Sequence, residues 1–125
     1  MEFTGREEGR SQPSLKLPAM YTLLRARPTG SKRYCWTGHI YDISADGMRF
    51  ELDQVLEPRT PLEVRGMLPG AKHITFRATG HITCLHEKDR QVGPFRMAMT
   101  FESFSHEIDR QRLSEYLHYS GLRAA

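Results

Sequence analysis

"FRMAMTFESFSHEIDRQRLSEYLHY", residues 95–119, carries two different hydrophobic periods in one stretch. Phe95, Met97, Met99 and Phe101 alternate with Arg96, Ala98 and Thr100. A period of two marks a half-buried strand, because successive side chains leave opposite faces. Beyond Ser105 the period lengthens. Ser105 suits an N-cap, and Glu107 and Asp109 place negative charge in the first turn, where the helix dipole favours it. Leu113, Tyr116 and Leu117 form an apolar helical stripe with Ile108 at its edge. Gly121 is a natural stop. The spacing predicts a strand over 95–101 and a helix over roughly 106–119.

Working outward, the period upstream stays at two. Residues 17–25 (LPAMYTLLR), 34–43 (YCWTGHIYDI), 47–52 (GMRFEL), the stretch around Leu62 and Val64, and 74–86 (ITFRATGHITCLH) all read as strands. The parity of 34–43 is not clean, which predicts a bulge or bend near Gly38; Gly80 predicts another. ARPTGSKR, EPRTP and EKDRQVGP read as loops. Six strands divided by turns and closed by one helix predict an all-β fold: a six-stranded antiparallel barrel with a C-terminal helical lid. The first dozen residues show no period and read as a mobile polar arm. The expected organisation is an arm over 1–12, barrel and helix over 13–120, and a tail over 121–125.

The chain has 125 residues, 26% charged and 38% hydrophobic, which fits one domain with one core. No apolar run approaches the roughly 20 residues of a membrane span, and no N-terminal secretory pattern is present. Two cysteines make no disulfide framework, so a cytoplasmic, reducing compartment is expected. The net charge is +3, with 14 Arg against 4 Lys, a balance that favours an anionic partner. Catalytic and metal chemistry finds little support. In HITCLH, strand alternation sends His81 away from Cys84 and His86, and no CxxC or HExxH spacing occurs. Cys35 reads as a small buried strand residue. No phosphate-cradling glycine loop is present. The expectation is a binding protein, not an enzyme, with no metal.

Two short patterns remain. YDISADGMRFEL, residues 41–52, places Asp42, Ser44 and Gly47 at a tight link between strands, and an Asx-type turn accounts for them. REEGR places Arg6 and Arg10 four apart, and a solvated charge cluster accounts for those, with Glu7 and Glu8 balancing them. Taken together, in this order and followed by strands and a helix, they resemble the PilZ domain family. Arg6 and Arg10 fit RxxxR; Asp42, Ser44 and Gly47 fit DxSxxG. GHITCLH and FRMAMTFESF resemble the family's fifth and sixth strands, and EIDRQRLSEYLHY its closing helix.

The resemblance implies a bacterial receptor for cyclic di-GMP, with that ligand as its only small-molecule requirement and an unidentified protein partner downstream. It implies that Arg6 and Arg10 grip guanine and phosphate while Asp42 and Ser44 read the opposite edge. The chemistry agrees. Guanine offers O6 and N7 acceptors to arginine on one edge and N1–H and N2–H₂ donors to a carboxylate on the other. Gly47 would let the chain turn without a Cβ in the way. Gly5 before Arg6 leaves open whether one or two ligand molecules bind. One alternative is a degenerate PilZ fold that binds a protein and no nucleotide. Another, disfavoured by the resemblance, is a basic barrel that binds single-stranded nucleic acid through Arg and aromatics such as Tyr34, Trp36 and Tyr41.

Overall fold

The computed structural model describes residues 14–70, 74–86 and 95–124. The elements run β1 (Leu15–Lys16), a 3-10 turn (Ala19–Tyr21), β2 (Leu23–Pro28), β3 (Trp36–Ser44), β4 (Gly47–Leu52), β5 (Pro61–Leu68), β6 (Ile74–His86), β7 (Phe95–Phe104) and α1 (Glu107–Ala124). Every pairing is antiparallel. The six long strands neighbour one another in the order β3-β2-β5-β6-β7-β4, and β4 returns to β3. The result is the expected six-stranded antiparallel barrel with one C-terminal helix. Closure leaves no long edge strand exposed.

Of the strand expected over 17–25, only the part from Leu23 forms, within β2; Ala19–Tyr21 is a 3-10 turn, and β1 is a separate short strand upstream. β1 pairs with β3 at Ile43 and Asp42, and β2 joins the same flank of β3 at Trp36–Gly38. Pro18 lies between them and has no N–H to give a ladder. Thr22 repairs the gap. Its buried hydroxyl donates to Ala19 O at 2.8 Å and accepts the Ile40 N–H at 2.8 Å. Without it, a buried backbone donor would go unmet.

The barrel interior follows the alternation. Met48, Phe50 and Leu52 are fully buried while Arg49 faces out. Phe76, Phe101 and Phe104 meet edge to face, with centroids 5.9 and 5.6 Å apart. Leu113 on α1 is buried against this cluster, and the Tyr116 hydroxyl donates to Pro69 O at 2.8 Å. The helix begins one residue later than Ser105 would place it. Asp109, only 6% exposed, closes its start by accepting the His106 N–H at 3.1 Å and the Arg77 N–H at 3.2 Å. The expected dipole residue thus ties the lid to β6. Nor does Gly121 stop the helix, which continues to Ala124. The expected bulge at Gly80 is present as a register shift after Thr79, whereas that of β3 lies between Ile40 and Asp42, beyond Gly38. Cys35 is exposed, not buried.

Candidate ligand site at the β3–β4 hairpin

The bulge in β3 decides where Asp42 points. His39 stands opposite Glu51 and Ile40 opposite Phe50; the next pair is Asp42 with Arg49. Tyr41 is the extra residue. Strict alternation would send Asp42 to the interior beside Ile40. The bulge resets the parity, so Asp42 turns outward with Arg49 and Ile43 turns inward with Met48. Asp42 Oδ2 lies 2.6 Å from Arg49 Nη2, a charge-assisted contact that holds the carboxylate.

The link between the strands is Ala45–Asp46. The Ser44 hydroxyl donates to Asp46 Oδ1 at 2.8 Å and lies 3.3 Å from Gly47 O. The Phe101 N–H donates to Asp46 O at 2.9 Å and fastens the link to β7. Gly47 serves a purpose other than the one its turn position suggests. Among the described residues, positive φ occurs only at Arg59, Gly30 and Gly70, so the link needs no glycine for its backbone angles. A Cβ at 47 would sit 2.5 Å from Met99 O. Gly47 therefore permits the close approach of β4 to β7.

The fold thus brings Asp42, Ser44 and Gly47 together at one hairpin end. Asp42 is 3% exposed and Ser44 fully buried, and both brace the hairpin, Asp42 through Arg49 and Ser44 through Asp46. Arg6 and Arg10 lie outside the described residues.

Several neighbours escaped the sequence reading. Arg49 is one, and its signal was present: counting outward from the two-residue link places it opposite Asp42. The others form a chain across β3, β4 and β7. The Tyr41 phenol donates to Glu51 Oε1, and Glu51 Oε2 lies 3.3 Å from His39 Nδ1. The Arg96 guanidinium sits 4.6 Å from the Tyr41 ring centroid, within cation–π range. Burial, reinforced by the Glu51 hydrogen bond and charge, raises the Tyr41 pKa above the ordinary phenol value, while Arg96 opposes the shift. Register places Arg96 opposite Glu51, but the bulge hid Tyr41's place beside them. The face therefore combines carboxylate, hydroxyl, planar cation and aromatic ring, a set suited to a flat anionic ligand with a donor edge. Among the described residues, no three His, Cys, Asp or Glu converge as metal ligands, and no helix is long and apolar enough to cross a membrane.

Comparison with known proteins agrees with this architecture. The structure of the Bacillus subtilis inhibitor of motility, MotI/DgrA, superposes with a TM-score of 0.69 at 14% identity, covering 91% of this chain and 52% of that one. The K. pneumonia MrkH–c-di-GMP complex gives 0.64 at 21% identity, covering 92% and 53%. The chain spans about half the length of each, and at these identities the likeness establishes the fold. No curated protein sequence matches significantly. The PilZ domain matches residues 5–119, nearly the whole length. The chain belongs to the PilZ domain family.

Proposed function

We propose that this chain is a receptor for cyclic di-GMP that signals to a protein partner. The observation that carries the proposal is the outward turn of Asp42 at the β3 bulge, beside Ser44 and Gly47, in a chain whose family match includes Arg6 and Arg10. MrkH, of the same fold, was solved with c-di-GMP. In the proposed complex Asp42 accepts from guanine N1–H and N2–H₂, sharing its carboxylate with Arg49. Arg6 and Arg10 take O6, N7 and phosphate.

Ligand binding orders residues 5–12 over the hairpin. Before Leu15 the sequence offers two large apolar side chains, Met1 and Phe3, neither within residues 5–12, so hydrophobic docking supplies little. Cyclic di-GMP supplies opposite charge and flat faces instead. Fixing these eight residues costs roughly 1–2 kcal/mol each in backbone entropy, which the ligand contacts must exceed. The ordered arm presents a new surface to the partner.

Calorimetric titration tests binding. Cyclic di-GMP should be preferred over cyclic di-AMP by about 1–3 kcal/mol per arginine–guanine contact, since adenine replaces O6 with a donor. Equal affinity for the two would remove the assignment to guanine. No heat with either would leave the fold as a protein-interaction module. Amide exchange across residues 5–12 tests the ordering. Protection should rise when ligand is added, and unchanged exchange at saturation would refute it.

A further inference from the structure

The opposite half of the barrel carries a charge pattern that the nucleotide site does not use. Arg25 on β2 stands opposite Arg65 on β5, and Arg65 stands opposite Arg77 on β6. Each lies between core residues: Leu24 and Ala26, Val64 and Gly66, Phe76 and Ala78. All three side chains therefore leave the outer face, and all three residues are exposed. With adjacent strands about 4.7–4.9 Å apart, they form a row of cations at that spacing.

One row away the charge is balanced. Arg27 faces Glu63, with Nε 2.6 Å from Oε1, and its guanidinium also covers the Tyr34 ring at 4.4 Å. Among the described residues, no carboxylate pairs with Arg25, Arg65 or Arg77. Like charges directly opposite destabilise a sheet, so the row weakens the free protein. The other flank is apolar. Leu23 stands opposite Met67, and Tyr21, 69% exposed, lies just beyond.

We propose that this β2–β5–β6 face docks an acidic, amphipathic helical segment of a partner protein. Side chains three or four apart on a helix lie about 5–6 Å from one another, close to the spacing of the arginine row. The apolar flank of such a helix would cover Leu23 and Met67. The surface has the make-up of an interface core: arginine, methionine and tyrosine, with no Asp, Glu or Lys in the two rows. A second copy of this chain docked face to face would set arginine against arginine. Single-stranded nucleic acid needs a run of open stacking rings, and this face offers only Tyr21, since Arg27 already covers Tyr34.

The probe is an 18-residue helical peptide with Glu along one stripe and Leu along the next. The controls are a peptide of equal composition with the Glu residues scattered around the helix, and a 20-nucleotide single strand. The striped peptide should shift the Nε–Hε resonances of Arg25, Arg65 and Arg77. Arg65→Thr should weaken its binding at least tenfold, raise the melting temperature of the free protein and leave cyclic di-GMP titration as in the parent. Arg77→Thr should repeat this. The proposal is overturned by equal binding of the scattered peptide, by tighter binding of the oligonucleotide, by unshifted arginine resonances, or by a lower melting temperature in both variants.

Discussion

The two halves of this barrel carry arginine clusters of opposite kinds. On the β3–β4–β7 half, Arg49 meets Asp42 and Arg96 covers Tyr41, whose phenol is held by Glu51. On the β2–β5–β6 half, three arginines stand in register without a carboxylate among the described residues. Both halves rest on the same core and the same antiparallel ladder. The difference lies in cross-strand partners alone, and it separates a surface organised around one hairpin from one that awaits an opposite charge. Substitutions in the hairpin network should accordingly lower stability, and substitutions in the arginine row should raise it.

The largest effect is expected at the hairpin. Gly47→Ala places a methyl against Met99 O, and β4 must move from β7 to admit it. Urea unfolding should show a loss of about 1–3 kcal/mol, the usual range for overpacking, together with weakened cyclic di-GMP binding. Unchanged stability would mean that the close contact carries no weight. Next comes Arg10→Ala, which should weaken cyclic di-GMP binding tenfold or more, about 1.4 kcal/mol, with little change in melting temperature. Parent-like affinity would move the site elsewhere.

A smaller effect of opposite sign is expected across the barrel. Arg65→Thr removes the central charge of the row and installs a good strand former. Stability should rise by about 0.2–1 kcal/mol, the scale of a cross-strand pair. A loss would erase the contrast between the halves. Smallest is the titration of Tyr41. A phenol whose pKa is raised by folding stabilises the native state fully below about pH 10, and that contribution fades as pH climbs through the folded pKa. Ultraviolet titration should show a tyrosine ionising above the ordinary phenol range, and Glu51→Gln should bring it down. Identical titration curves for the two proteins would contradict the network.

Much of this was legible from alternation and short motifs. The stretch 47–52 reads as a strand because Met48, Phe50 and Leu52 must share a face, and all three are buried. The change of period after Phe104 located the lid. What alternation could not give were the places where it is broken. Pro18 and Thr22 flank the turn that replaces the first part of one expected strand, and only the Ile40 N–H explains the threonine. The bulge at Tyr41 turns Asp42 outward; the uneven parity of 34–43 announced a bulge but not its place, which lies beyond Gly38. Gly47 reads as a turn glycine because its real constraint, the Met99 carbonyl, comes from a strand some fifty positions away. Asp109 reads as a dipole residue because its second bond reaches across to β6. The arginine row was hidden for the same reason: Arg25, Arg65 and Arg77 are far apart in sequence and meet only through register.

Because cyclic di-GMP carries two phosphates, the arginine row is its natural rival site, and one measurement separates the two. Backbone amide and arginine Nε–Hε resonances of the full chain are followed during titration with cyclic di-GMP. The account predicts shifts at Asp42, Ser44, Gly47 and residues 5–12, with Arg25, Arg65 and Arg77 unmoved. Shifts centred on those three arginines, with the β3–β4 hairpin silent, would contradict it.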